Sequence, residues 1–171
     1  MSQAAPPQPA PELFARARNS MLSASRLSGI EVGETPAPGR LAPYSFALSA
    51  SVDNPQGPEV SGRLILLHDP AGHPSWEGTL RLVTYVAIDD PRGPAHETLW
   101  SGLLDGLDAA EASYLAPGGT VTVSSSTGYG ALRRGGDPEV TVELRASWTP
   151  HGDVGAHVSA WCAVLGRLAE H

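Results

Sequence analysis

The sequence predicts an α+β domain: a five-stranded, mainly antiparallel sheet carrying three helices in the order α-β-β-β-α-β-β-α. Three observations lead there. Val140, Val142, Leu144, Ala146 and Trp148 alternate with Glu139, Thr141, Glu143, Arg145 and Ser147, which sets every apolar side chain on one side of a strand. Four further segments share that two-residue rhythm. Three others repeat apolar residues at three- and four-residue spacing, the mark of a helix with one buried stripe. Hairpin-length turns between strands with a polar face favour antiparallel pairing.

The first ten residues, rich in Pro, Gln, Ala and Ser, read as a disordered tail, and residues 11–171 as a single domain. Pro11 and Glu12 open a helix in which Phe14, Ala17, Met21 and Ala24 form the stripe, ending near Ser28-Gly29. Residues 31–40, broken by Pro36 and Pro38, read as a loop. The first strand is expected over Leu41–Val52, with Tyr44, Phe46, Leu48, Ala50 and Val52 on one face. Glu59–His68 follows; its contiguous Leu64-Ile65-Leu66-Leu67 predicts a central strand covered on both sides. Asp69 to Pro74 reads as a turn, and Thr79–Asp89 as the returning strand, with Trp76 near the hairpin tip.

Trp100, Leu103, Leu104 and Leu107 predict a second helix over 95–110, where Gly102 and Gly106 would let it approach the sheet closely. Pro117-Gly118-Gly119 ends that unit. A weakly apolar strand is expected over Thr120–Ser126, a plausible sheet edge, and a glycine-rich loop over 127–138. After the last strand, Val158, Trp161, Leu165 and Leu168 form the third helical stripe, capped by Asp153.

Bulk properties exclude several functions. All 11 basic residues are Arg, so there is no P-loop lysine and no Schiff-base lysine; that usage, with abundant Ala, Gly and Pro, fits a GC-rich genome. A net charge of −7 argues against a general nucleic-acid or anionic-membrane surface. RNA binding through Arg16, Arg18, Arg133 and Arg134 is therefore the least favoured reading. The single cysteine, Cys162, permits no internal disulfide, and no apolar run approaches a bilayer span. A cytoplasmic location is expected.

Motifs that carry chemistry are incomplete. Gly128-Tyr129-Gly130 begins like a dinucleotide fingerprint but sits between strands and lacks the third glycine. Ser124 to Thr127 is hydroxyl-rich but reads as a solvated strand. His96-Glu97 lacks the second histidine of a zinc-protease helix, since Trp100 stands there. His151, Asp153, His157 and Cys162 group in sequence, yet His157 and Cys162 face different sides of a helix. No metal or cofactor is expected. Trp100, Trp148 and Trp161 belong to apolar stripes. What remains is the hairpin tip: His68, Asp69 and His73 offer acid–base groups, and Trp76 is either a lid or a partner anchor. These four residues are the candidate partner or ligand surface.

Five ordered blocks, RLAPYSFALSASV, GRLILLHDPAGHPSWEGTLRLVTYV, GGTVTVSSSTGYG, ELRASWTP and AWC, resemble an uncharacterised actinobacterial family called domain of unknown function 3000. The resemblance implies an actinobacterial cytosolic protein and no particular activity. The order of elements is also similar to that of type III secretion chaperones, small acidic proteins that dimerise and bind extended polypeptide segments. The expectation is a non-enzymatic binding, adaptor or chaperone-like module for a protein partner or a second copy of itself. The alternative is a small-molecule binder or enzyme using the His68/Asp69/His73 tip.

Overall fold

In a computed structural model that describes residues 11–39, 41–53, 55–90, 96–133 and 135–170, the alternating segments pair into one sheet. Its strands are β1 (Glu31–Thr35), β2 (Tyr44–Val52), β3 (Glu59–His73), β4 (Gly78–Asp89), β5 (Tyr114–Ser126) and β6 (Glu139–Pro150). All neighbours run antiparallel in the order β1-β2-β3-β4-β6-β5. The helices are α1 (Glu12–Arg26), α2 (His96–Ala109) and α3 (Val154–Leu168). The expected tail, residues 1–10, lies outside the described residues.

The sheet thus has six strands, not five, and the order is α-β-β-β-β-α-β-β-α. The added strand, β1, falls in the segment expected to be a loop. Its Glu31-Val32-Gly33-Glu34-Thr35 has one apolar side chain, so the strand is held by backbone pairing to β2 and carries little side-chain rhythm. Two predicted turns are also absorbed. β3 runs through Asp69 and Pro70 to His73, with a register shift between His68 and His73, and the turn comes later, at 74–77. Pro117-Gly118-Gly119 lies inside β5, at a second irregularity between Leu115 and Gly118.

One face of the sheet is the core. Phe46, Leu48, Leu64, Leu66, Leu82, Val86, Leu144 and Trp148 line it, and α1, α2 and α3 bring Phe14, Met21, Leu103, Leu107, Val158, Trp161 and Leu165 onto it. α3 is the central helix, packed against both others and against β2 and β3. The Trp161 indole donates to the Thr84 hydroxyl at 2.8 Å, so its one polar atom is satisfied where it is fully buried. Gly62 makes room for it: a Cβ there would stand 2.9 Å from the Trp161 ring. Asp153 caps α3 by accepting from the Gly155 amide at 3.0 Å, as its position predicts. Gly106 serves a helix pair, not the sheet: a Cβ there would lie 2.6 Å from Val164 of α3.

Among the described residues no helix packs on the opposite face. Near the β3–β4 hairpin this face buries a small apolar cluster, Ala47, Ile65 and Leu67, covered by Ala37, Ala42, Trp76 and Val83. β3 is therefore covered on both faces over Leu64–Leu67, as its unbroken apolar run predicts.

Candidate functional site

The hairpin-tip residues divide between the two faces. His68 is buried on the helix side, its ring stacked 6.2 Å from Phe14 and tilted 6.0 Å from Tyr44, with Nδ1 donating to the Thr79 carbonyl at 3.0 Å. Asp69 accepts from the Ala71 amide at 3.0 Å, a local turn bond. His73 is exposed, its Nδ1 accepting from the Ser75 amide at 3.2 Å, and its ring stacks 5.1 Å from Trp76. Trp76 folds onto the helix-free face and packs, partly buried, against the small apolar cluster. His73 and Trp76 meet each other; His68 meets neither. The sheet stands between them, so the tip does not assemble an acid–base pair.

A different set of residues does converge. On the helix-free face the strand register aligns Gly33, Ser49, Arg63, Tyr85, Arg145 and Thr120 in one row across all six strands. Successive members of such a row are side-by-side neighbours, close enough for long side chains to touch. The Tyr85 hydroxyl donates to Glu143 Oε1 at 2.7 Å, and the Arg145 guanidinium lies 5.4 Å from the Tyr85 ring centre. Arg145 also approaches the other Glu143 oxygen at 3.8 Å. The bond to Glu143 raises the Tyr85 phenol above its ordinary range, with burial adding to it. Arg63, exposed beside this trio, has no ion pair among the described residues. Next to it a shallow concavity of about 680 Å³ is lined by Glu31, Gly33, Ser49, Ser51, Ser61, Arg63 and Tyr85. Short hydroxyl side chains here leave the backbone open to close approach, while the guanidinium and phenol supply directional contacts.

Comparison with known proteins agrees with the five blocks of similarity. The family described as "Protein of unknown function (DUF3000)" matches residues 10–170. The chain belongs to the DUF3000 family. No curated protein and no solved structure matches it significantly.

In this DUF3000 protein one residue of structural weight escapes sequence reasoning. Arg81 sits on the helix-free face yet is only 8% exposed, and no carboxylate pairs with it among the described residues. Its guanidinium donates to the Thr149 hydroxyl at 3.0 Å, the Ser147 hydroxyl at 2.9 Å and the Ala116 carbonyl at 2.8 Å. Ala116 has φ of +50°, a left-handed backbone conformation unusual for alanine. Arg81 thus reaches from β4 past β6 and holds the irregular turn of β5 in place. Thr149 in turn donates to the Trp76 carbonyl, which ties the hairpin tip to the same network. Burial lowers the Arg81 guanidinium from its ordinary value.

The residues weighed as a metal site serve other ends in DUF3000. Asp153 caps α3 and accepts from Ser20, His151 is exposed, and burial pushes the Cys162 thiol up. His157 is fully buried, its Nδ1 accepting from the Trp148 indole at 2.9 Å. Among the described residues no three His, Cys, Asp or Glu side chains gather as a metal site. Arg16 pairs with Glu12 and Arg18 lies over Phe14, both on α1; Arg133 follows the turn at Gly130–Leu132, and Arg134 lies outside the described residues. No described helix is long and apolar enough to cross a membrane.

Proposed function

We propose that this DUF3000 protein is a non-enzymatic cytosolic binding module whose helix-free sheet face receives a protein partner. The observation that carries the reading is the contrast in covering: three helices close one face, while the row Ser49, Arg63, Tyr85, Arg145 stands bare on the other. Arg and Tyr are the residue types that most often dominate interface energy. Tyr85, Arg145 and Glu143 already hold one another, so little side-chain freedom remains to be lost on docking. Arg63, without an ion pair among the described residues, favours a partner segment that carries a carboxylate. A chaperone-like role, holding an extended segment of that partner, is part of the same proposal.

Affinity purification from the native cell with the wild type, Arg63→Glu and Tyr85→Ala tests this. The proposal expects a partner protein with the wild type and its loss with both variants, while His73→Ala retains it. Retention by Arg63→Glu and Tyr85→Ala together, or no partner at all, would defeat it.

A further inference from the structure

The two edges of the sheet differ in how they are protected. β1, the first edge, is five residues long and carries Glu31 and Glu34. Short, charged edges resist pairing with another strand. β5, the other edge, is thirteen residues long, and no charged residue lies between Glu111 and Arg133. Pro117 and the irregularity at 115–118 disturb only its beginning. From Gly118 to Ser126 it pairs with β6 in unbroken register, and all of it but Val121 is exposed. Thr120-Val121-Thr122-Val123 has strong strand propensity. A long, neutral edge of this kind is a template for another strand.

Exposed apolar side chains gather at the same place. Among the described residues seven large hydrophobics are exposed, and four of them, Leu115, Val123, Tyr129 and Leu132, lie on β5 or in the hairpin that follows. Tyr129 and Leu132 are 79% and 77% exposed.

We propose that β5 pairs antiparallel with β5 of a second copy, about a two-fold axis beside Thr122, the midpoint of the regular stretch Gly118–Ser126. The occupant is a second copy because the strand is its own complement in that register. Val121 meets the second copy's Val123 on the helix side. Thr122 meets Thr122, and Thr120 meets Ser124, on the open side. Neutrality matters here: each copy carries −7, and a charged edge would add local repulsion to that. The result is a continuous twelve-stranded sheet with β1 at both outer ends. This inference uses the edge alone and does not rest on the partner reading of the open face.

Sedimentation of the full chain over a range of concentrations tests it, using the triple variants T120K/T122K/S124K and T120E/T122E/S124E. Every one of the three positions then faces a like charge in the second copy. The proposal expects a wild-type dimer that tightens as salt screens the net charge. Self-association of either triple variant falls roughly tenfold or more, and a one-to-one mixture of the two restores the dimer. Restoration by mixing also shows that both variants are folded. Glu34→Lys on the far edge leaves the dimer unchanged. A monomeric wild type, dimers that persist in both triple variants, or a mixture that stays monomeric would each overturn the proposal, whatever the open face does with its own partner.

Discussion

The two faces of this sheet are built from the same strands in the same register, yet they obey different rules. On the helix side, positions such as Leu64, Leu82, Val86 and Leu144 are sealed by Trp161, Val158 and Leu165, and nearly every polar atom there is matched. On the other side, one residue along each strand, Ser49, Arg63, Tyr85 and Arg145 face outward, while the patch under Trp76 and the neighbouring Arg81–Thr149 network are covered. The difference teaches that stability and recognition are separable in this molecule. Changes on the helix side should unfold it; changes on the bare side should spare the fold and alter what it binds.

The largest effect belongs to the core. Trp161→Ala removes the side chain that joins α3 to Gly62 and Thr84, and should cost about 3–5 kcal/mol in chemical denaturation. A loss comparable to a surface substitution would break the comparison at its firmer end. Arg81→Met is next, because here the helix-free face carries structural weight. It strands the Ala116 carbonyl and two hydroxyls, for about 1–3 kcal/mol, and should speed amide exchange around 114–118 more than elsewhere.

Acid should weaken the helix side selectively through His157. The Trp148 indole donates to Nδ1, so the proton sits on Nε2, which has no hydrogen-bond partner among the described residues. Burial lowers the imidazole below its ordinary value of 6.5, outweighing nearby His151 and Ser113 backbone and the Asp153 charge. The unfolded chain therefore binds a proton before the folded one does. Stability is full above about pH 6.5 and falls as pH drops toward the lowered folded value, by at most about 1.4 kcal/mol per pH unit from this group. Unfolding curves at pH 7.5 and 5.5 check this, and His157→Gln should flatten the slope. The smallest effect on stability is on the bare face: Arg63→Glu or Tyr85→Phe should move unfolding by no more than about 0.5 kcal/mol.

Much of the helix side was legible because its signals are local. The alternation of Val140–Trp148, the stripes of α1 and α3 and the Asp153 cap each lie within one element, and each appears where its spacing predicts. β1 was not legible, since an edge strand held by backbone bonds needs few apolar side chains. The hairpin tip was half legible: the residues were singled out, but the strand continues past Pro70 through a register shift that breaks the alternation between His68 and His73, so their spacing does not assign their faces. The row across the bare face depends on β6 lying between β4 and β5, a pairing between distant segments. Arg81 has the same difficulty. Period-two reading makes it a solvated side chain, and only the return of β5 beside β6 brings the carbonyl that buries it.

Photo-crosslinking from chosen positions in the native cell tests the separation of faces most directly. A photoreactive side chain at Ser51 or Ser61, both exposed on the bare face, should join a second polypeptide, whereas one at Ser23 on the outer side of α1 should not. Adducts from Ser23 alone, or equal adducts from both sides, would contradict the account.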